Sequence, residues 1–268
     1  MGRSSLGYRY RSLSGLTLPE PVTERASGRP ETVWRYCLPG GVAFDPVVFD
    51  EQRLAEQGLL CGAATAGRGN TFFFQINQQP MVLRHYRRGG LAQRLSKRHY
   101  LFTGLEQTRA MREFDVLVQL QREHFAAPVP YACQVVRQGL FYTASLVTHR
   151  IAGQTLAEKI TAGIGMDLWR RIGLVVAQMH KLGYYHADLN AHNILVQDSE
   201  MATGDDVSII DFDRSYRRSL PAPDPATGWC FQNTERLKRS LTKISAGSDD
   251  WKAGFAALKE QWLKELSH

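Results

Sequence analysis

An eight-residue stretch, His186-Ala187-Asp188-Leu189-Asn190-Ala191-His192-Asn193, leaves this chain few folds to choose from. An apolar run follows it, Ile194-Leu195-Val196, and then a second, Val207-Ser208-Ile209-Ile210, which leads into Asp211-Phe212-Asp213. Each run reads as a short buried strand flanked by a polar residue at one end, Asn193 before the first and Asp211 after the second. Phosphoryl transfer asks for such a set. It needs metal ions that neutralise phosphate charge and a carboxylate that receives the acceptor hydroxyl's proton. Mg²⁺ takes hard oxygen ligands, one or two carboxylates together with phosphate oxygens. A loop that ends a helix and opens a strand can aim one Asp at an acceptor. An Asn five positions on can turn back to the metal, and an Asp closing the neighbouring strand can hold the same ion. The competing reading is a set of polar turn residues closing a hairpin. The two halves, in order and after a matching helix, make it the weaker one.

That helix is expected over Asp167–Leu182. Leu168, Ile172, Val175, Val176, Met179 and Leu182 form one apolar stripe at helical spacing. Asp167 suits the N-cap and Gly183 the C-terminal cap. The stripe is core. A further helix over Trp251–Leu266, with a polar lead-in, ends the chain.

The first half reads mainly as strands. Residues 1–40 are polar and rich in Ser, Pro and Gly, which suggests an irregular arm. Thr71–Ile76 and Met81–Tyr86 are runs of strand formers around a turn at Asn77–Pro80, preceded by a small-residue loop from Gly62 to Gly69. A helix is expected over Glu106–His124, closed by Pro128 and Pro130. Tyr131–Arg137 and Leu140–Thr148 suggest a hairpin around Gln138-Gly139, and Ala152-Gly153 a hinge between two lobes.

Composition excludes several classes. The chain has 268 residues, 43% hydrophobic and 22% charged, enough for one large domain or two small lobes with a real core. No apolar run approaches the ~20 residues of a membrane-spanning helix. The four cysteines, Cys37, Cys61, Cys133 and Cys230, are too scattered for a metal knuckle or redox pair. They read as reduced thiols of a cytosolic protein. Arg3 is not followed by an apolar region, so no signal peptide is expected. The net charge is +7, and the window from Arg84 to Arg112 alone holds eight basic residues and one acid. Such a window suggests an anionic partner (nucleic acid, a membrane surface or a phosphorylated substrate), with a solvated face as the alternative.

The pattern H-x-D-x-x-x-x-N, then an apolar strand, then D-F-x resembles the protein-kinase-like fold. The resemblance implies an α+β, two-lobed architecture. A small, mainly β N-lobe with one helix is expected over 41–150, after the arm, and a mainly helical C-lobe over 151–268. It implies that Asp188 is the catalytic base, that Asn193 and Asp211 hold Mg²⁺, and that His186 is the structural histidine of the loop. A kinase-like fold also has a glycine loop, a strand Lys and a helix Glu. Gly67-Arg68-Gly69 stands where the loop belongs. The strand offers Arg84 in place of Lys, and Glu113 is placed as the helix partner. Two readings stand for Arg84. It is a phosphate clamp oriented by Glu113, since Arg grips phosphate bidentately where Lys acts as a point charge; or it is the first residue of the basic stretch.

Departures from protein kinases bear on the acceptor. Asn190 stands where protein kinases carry Lys, Asp213 replaces the Gly of D-F-G, no A-P-E follows, and 57 residues remain after Asp211. That leaves too little chain for a peptide-binding lobe and favours a small-molecule or lipid-sugar hydroxyl. Longer stretches narrow the resemblance. They are Arg84-His85-Tyr86-Arg87-Arg88-Gly89-Gly90-Leu91, Tyr100-Leu101-Phe102-Thr103-Gly104-Leu105-Glu106, Arg109-Ala110 with Glu113-Phe114, Tyr185 to Leu195, and Ile210-Asp211-Phe212-Asp213-Arg214. Together they resemble the family of 3-deoxy-D-manno-octulosonic acid (Kdo) kinases. That resemblance implies ATP-dependent, Mg²⁺-assisted phosphorylation of the 4-hydroxyl of a Kdo sugar on a lipid A precursor, at the cytoplasmic face of a bacterial inner membrane. Kdo carries a carboxylate and the lipid carries phosphates. Arg87, Arg88, Arg94, Lys97 and Arg98 are therefore the candidate contacts to substrate and anionic membrane. Three alternatives remain open: a kinase of another core sugar such as heptose, an inactive pseudokinase that binds anionic lipid, and a nucleic-acid binder. The last is not expected, because it would leave the kinase constellation without a purpose.

Overall fold

The computed structural model describes residues 18–40, 42–63, 70–86, 99–197, 206–218, 228–245 and 247–267. Its first half is built on an antiparallel sheet. The strands are β1 (Val22–Ala26), β2 (Glu31–Tyr36), β3 (Leu60–Ala63), β4 (Thr71–Ile76), β5 (Gln79–His85), β6 (Tyr100–Leu101), β7 (Pro130–Gln138) and β8 (Phe141–His149). They lie in the order β1-β2-β7-β8-β5-β4-β3, with the short β6 paired to β8. Helix α1 (Glu51–Glu56) and the longer α2 (Arg109–Arg122) belong to this half.

The sheet is covered on both sides, and the side-chain alternation of its central strands shows how. Cys133 and Leu146 face one core with Met111, Phe114 and Leu117 of α2. Their neighbours Ala132 and Val147 face a second core with Phe49, Leu54, Phe74 and Leu83. Burial on both faces accounts for the near-continuous apolar texture of β8. Two hairpin turns follow from local chemistry. Asn77 and Gln78 both take positive φ (49° and 64°) between β4 and β5, a geometry that matches the right-handed strand twist. Gly139 (φ 62°) does the same between β7 and β8.

The irregular arm expected to residue 40 is corrected over its described part. Residues 22–36 form β1 and β2, and β2 pairs along its length with β7, Val33 opposite Val135. The strand signal was masked by charge. Glu24 and Arg25 of β1 are exposed, and Arg35 of β2, on the same face as the buried Val33, is paired with Glu106 and Asp115.

The second half is mainly helical: α3 (Leu156–Ala162), α4 (Met166–Lys181), α5 (Trp229–Ile244) and α6 (Trp251–Leu266). Short strands β9 (Gln154–Thr155), β11 (Ile194–Val196) and β12 (Val207–Ile209) make one small sheet; β10 (Tyr184–Tyr185) and β13 (Tyr216–Arg217) make another. Thr155 and Glu158 cap α3 reciprocally, each side chain accepting from the other's backbone N–H (3.2 and 2.7 Å). α4 departs from expectation at its start. Gly165 is the N-cap, and Asp167 lies in the first turn, paired with Arg170 at 2.9 Å. A carboxylate there still complements the helix dipole. α4 and α6 touch closely at Gly173, where an added Cβ would stand 2.3 Å from the Leu258 carbonyl oxygen.

α5 lies in what read as a polar lead-in. Its buried face includes Cys230, Asn233, Thr234, Leu237 and Leu241. Two polar residues in the middle of the stripe concealed its period. Asn233 is buried because it bonds to the loop described next, and Thr234 because its hydroxyl donates back to the Phe231 carbonyl (2.8 Å).

Candidate active site

The stretch from His186 to Asn193 runs from the end of β10 to the start of β11, and its shape is set by buried hydrogen bonds. His186 is fully buried. Its Nδ1 accepts from the Asp188 N–H (3.1 Å), and its Nε2–H donates to the Ile210 carbonyl (3.0 Å). One imidazole thus ties the loop to the segment that carries Asp211. Burial pushes its pKa down and so favours the neutral ring, and the two hydrogen bonds fix which nitrogen carries the proton. Asn233 of α5 closes the other side: its Nδ2 donates to the His186 carbonyl (2.7 Å) and its Oδ1 accepts from the His186 N–H (3.3 Å). Ser240, two turns further along α5, accepts from the Ala191 N–H at 3.1 Å.

Asp188 emerges from this frame with 59% of its side chain exposed. Asn193 sits beneath it and donates from Nδ2 to the Asp188 carbonyl (2.9 Å). That leaves the Asn193 Oδ1 as an acceptor on the other branch of a planar amide. The backbone then joins the two halves of the motif, since Ile210 N–H donates to Asn193 O at 2.9 Å. Asp211 follows in the left-handed region (φ 62°), a conformation that Asp tolerates better than most residues. Phe212 next to it is fully buried against His186 and Phe125 and anchors the turn.

The sheet side of the cleft contributes Arg84 from β5. Its guanidinium is paired with Glu113 of α2 through one nitrogen and with Asp211 through the other. Tyr86 donates its hydroxyl to the same Glu113 oxygen at 2.5 Å. Glu113 is 3% exposed, and burial pushes its carboxyl up against the pull of Arg84. Asp211 ends with the opposite sign. Burial pushes it up, but the Arg84 charge and hydrogen bond outweigh that and hold it below the usual carboxylate range. A second clamp lies alongside. Arg109, the first residue of α2, is paired with Asp213, donating from Nε at 2.8 Å, and reaches the Tyr100 hydroxyl at 2.6 Å.

Of the residues expected at the site, the structure thus joins Asp188 to Asn193, and Arg84 to Glu113 and Asp211. Gly67, Arg68, Gly69, Arg87, Arg88, Arg94, Lys97 and Arg98 lie outside the described residues. Sequence reasoning missed Asn233, Ser240 and Arg236 because it missed α5. Arg236 stands with Nη1 3.5 Å from Asp188 Oδ1.

A metal fits the donor set. Asn193 Oδ1 and the Asp211 oxygen not engaged by Arg84 are hard oxygen donors, and the Asp211 side chain is 37% exposed. One carboxylate and one amide suit Mg²⁺ when phosphate oxygens complete its shell.

Comparison with known proteins places the chain in a family. Residues 51–257 match the model of the lipopolysaccharide kinase (Kdo/WaaP) family. A 3-deoxy-D-manno-octulosonic acid kinase of Vibrio vulnificus is 40% identical over 200 residues, covering 73% of this chain and 79% of the relative. One of Stenotrophomonas maltophilia is 37% identical over 217 residues, covering 76% and 83%. Among solved structures, WaaP in complex with acyl carrier protein superposes with a TM-score of 0.51 at 17% identity, covering 82% of this chain and 88% of that one. At that identity the likeness concerns the fold, which is protein-kinase-like, with an antiparallel N-terminal sheet and a helical C-terminal region. The chain belongs to the lipopolysaccharide kinase (Kdo/WaaP) family.

Proposed function

We propose that this chain is an ATP-dependent kinase that phosphorylates the Kdo sugar of a Kdo–lipid A precursor, at its 4-hydroxyl, in lipopolysaccharide core synthesis. The observation that carries this is the single hydrogen-bonded unit of His186, Asp188, Asn193 and Asp211, in a chain 40% identical to Kdo kinases.

Asp188 is the base. The acceptor oxygen attacks the γ-phosphorus, the bond to the β-phosphate oxygen breaks, ADP leaves, and the hydroxyl proton passes to the Asp188 carboxylate. Asn193 and Asp211 would hold Mg²⁺, which when bound would neutralise phosphate charge. Arg84 is the phosphate-binding cation of the strand, oriented by Glu113, which a plain member of a basic stretch would not need. Gly67, Arg68 and Gly69 are the residues we assign to contacts with the nucleotide phosphates. Residues 41–150 serve as the nucleotide lobe and 151–268 as the lobe of base and metal, with β1 and β2 extending the first lobe towards the N-terminus.

The protein works at an anionic membrane surface. Arg87, Arg88, Arg94, Lys97 and Arg98 place five cations and no acid within twelve residues directly ahead of β6. Leu101 of β6 pairs with Phe141 of β8, and Leu140 caps the same hairpin tip; all three are exposed. Apolar groups beside a basic run suit a lipid headgroup region. Among the described residues no helix is long and apolar enough to cross a membrane.

The test is incubation with Mg²⁺-ATP and a Kdo–lipid A precursor, followed by mass spectrometry and two-dimensional NMR of the product. One added phosphate on C4 of Kdo is expected. A phosphate on a heptose-containing acceptor but not on Kdo would assign the protein to another core sugar, and no transfer to either would make it a pseudokinase.

A further inference from the structure

Asn190, two residues after Asp188, spends its side chain locally. Its Nδ2 donates to the Asp188 carbonyl (3.1 Å) and its Oδ1 accepts from the His192 N–H (2.8 Å). The loop from His186 to Asn193 contains no Lys or Arg. The cation beside the base comes instead from α5. Arg236 Nη1 stands 3.5 Å from Asp188 Oδ1, and among the described residues Asp188 is its one polar partner.

The placement is fixed by the helix that delivers it. Asn233 and Ser240 bond α5 to both ends of the catalytic loop, and Leu237 is fully buried between them. Arg236 follows Asn233 by three residues and precedes Ser240 by four, so it projects from the same face. Stability gives little reason for the pair. Its side chains are 39% and 59% exposed, and ion pairs so open to water contribute little. The pair engages one guanidinium nitrogen and leaves the other N–H donors of the planar fork without a partner among the described residues, next to the group that must face the acceptor hydroxyl. A planar fork matches a carboxylate bidentately.

We infer that Arg236 binds the carboxylate of the acceptor sugar and so turns its hydroxyl toward Asp188. This rests on the proposed acceptor being a sugar acid.

The test measures steady-state kinetics of wild type and Arg236→Gln with a Kdo–lipid A precursor and with its Kdo methyl ester, varying acceptor and ATP separately. Esterification is expected to raise the wild-type acceptor KM roughly 10- to 100-fold, the worth of a hydrogen-bonded charge. Arg236→Gln should show a similar rise on the free acid, no further rise on the ester, and an unchanged KM for ATP. Arg236→Lys, which keeps the charge without the fork, should fall between. An undiminished preference of Arg236→Gln for the acid would overturn the assignment. So would a loss confined to the KM for ATP, which would place Arg236 on the transferred phosphoryl group. Wild-type transfer to neither acceptor overturns the proposed function itself, a result distinct from both. Equal melting temperatures of wild type and Arg236→Gln are expected from the exposure of the pair; a collapse of Arg236→Gln on its own would show that its role is structural.

Discussion

Arg84 on β5 and Asp211 after β12, 127 residues apart in sequence, are joined by an ion pair whose other arm holds Glu113. A single planar cation thus ties the sheet, the helix α2 and the turn after β12 together. A Lys has one ammonium and cannot present two separated nitrogens in this way.

Arg84→Ala is expected to lose activity and also to destabilise the protein by about 3–5 kcal/mol, because Glu113 would be left buried without its cation. Arg84→Lys should recover part of both. Denaturant melts and ATP kinetics check this; an Arg84→Ala protein as stable as wild type would show that Glu113 does not depend on the pair.

How much of this was legible beforehand depends on the kind of residue. His186, Asp188, Asn193 and Asp211 could be picked out because phosphoryl transfer restricts both type and spacing. The helix α4 and the strands β4, β11 and β12 could be read because their apolar periods are unbroken. Asn233 and Arg236 could not. α5 buries Asn233 and Thr234 in the middle of its core face, and a polar residue that is buried to bond a loop, as Asn233 is, or its own helix, as Thr234 is, looks in sequence like a solvent-facing one. β1 and β2 were hidden for a related reason, since Arg35 spends its charge on Glu106 and Asp115 instead of on water. The partner of Asp213 was likewise not readable, because Arg109 is 104 residues away.

Asp213 takes the place of a glycine and is paired with Arg109, both mostly buried at 15% and 20% exposed. A double-mutant cycle of Arg109→Ala and Asp213→Ala should give a coupling of about 1–3 kcal/mol in unfolding free energy. Additive losses would show that the two side chains are stabilised by other partners.

Buried histidines set an acid limit on stability. His180 accepts from the Trp262 indole N–H at Nδ1 (2.9 Å) and donates from Nε2 to Asn233 Oδ1 (3.1 Å). Nε2 already carries the ring's proton, so a second one must go to Nδ1, where it breaks the bond from Trp262. Burial lowers its pKa to about 4, below the ~6.5 of an unfolded histidine. The unfolded chain therefore binds the extra proton first. Stability from this group is intact above ~6.5 and falls with decreasing pH until about 4, by roughly 1.4 kcal/mol per pH unit. His149, also lowered by burial to about 4, adds to the slope. Urea melts across that window check this; a flat profile would mean that the folded protein accommodates the protonated rings.

Gly173→Ala should destabilise the fold although alanine favours helix, because its Cβ would meet the Leu258 carbonyl at 2.3 Å. Overpacking of this kind costs about 1–3 kcal/mol, against ~1 kcal/mol of propensity gained. Activity per folded molecule should be kept, since the contact is between α4 and α6. A variant with a raised melting temperature would show that the helices can separate freely.

The most direct measurement is ADP release from Mg²⁺-ATP with a Kdo–lipid A precursor, wild type beside Asp188→Ala. Removal of a general base costs roughly 10²–10⁴-fold. Acceptor-dependent release by the wild type, reduced at least that far in a variant that still folds and binds nucleotide, is expected. Equal rates in the two proteins would contradict the assignment of Asp188 as the base.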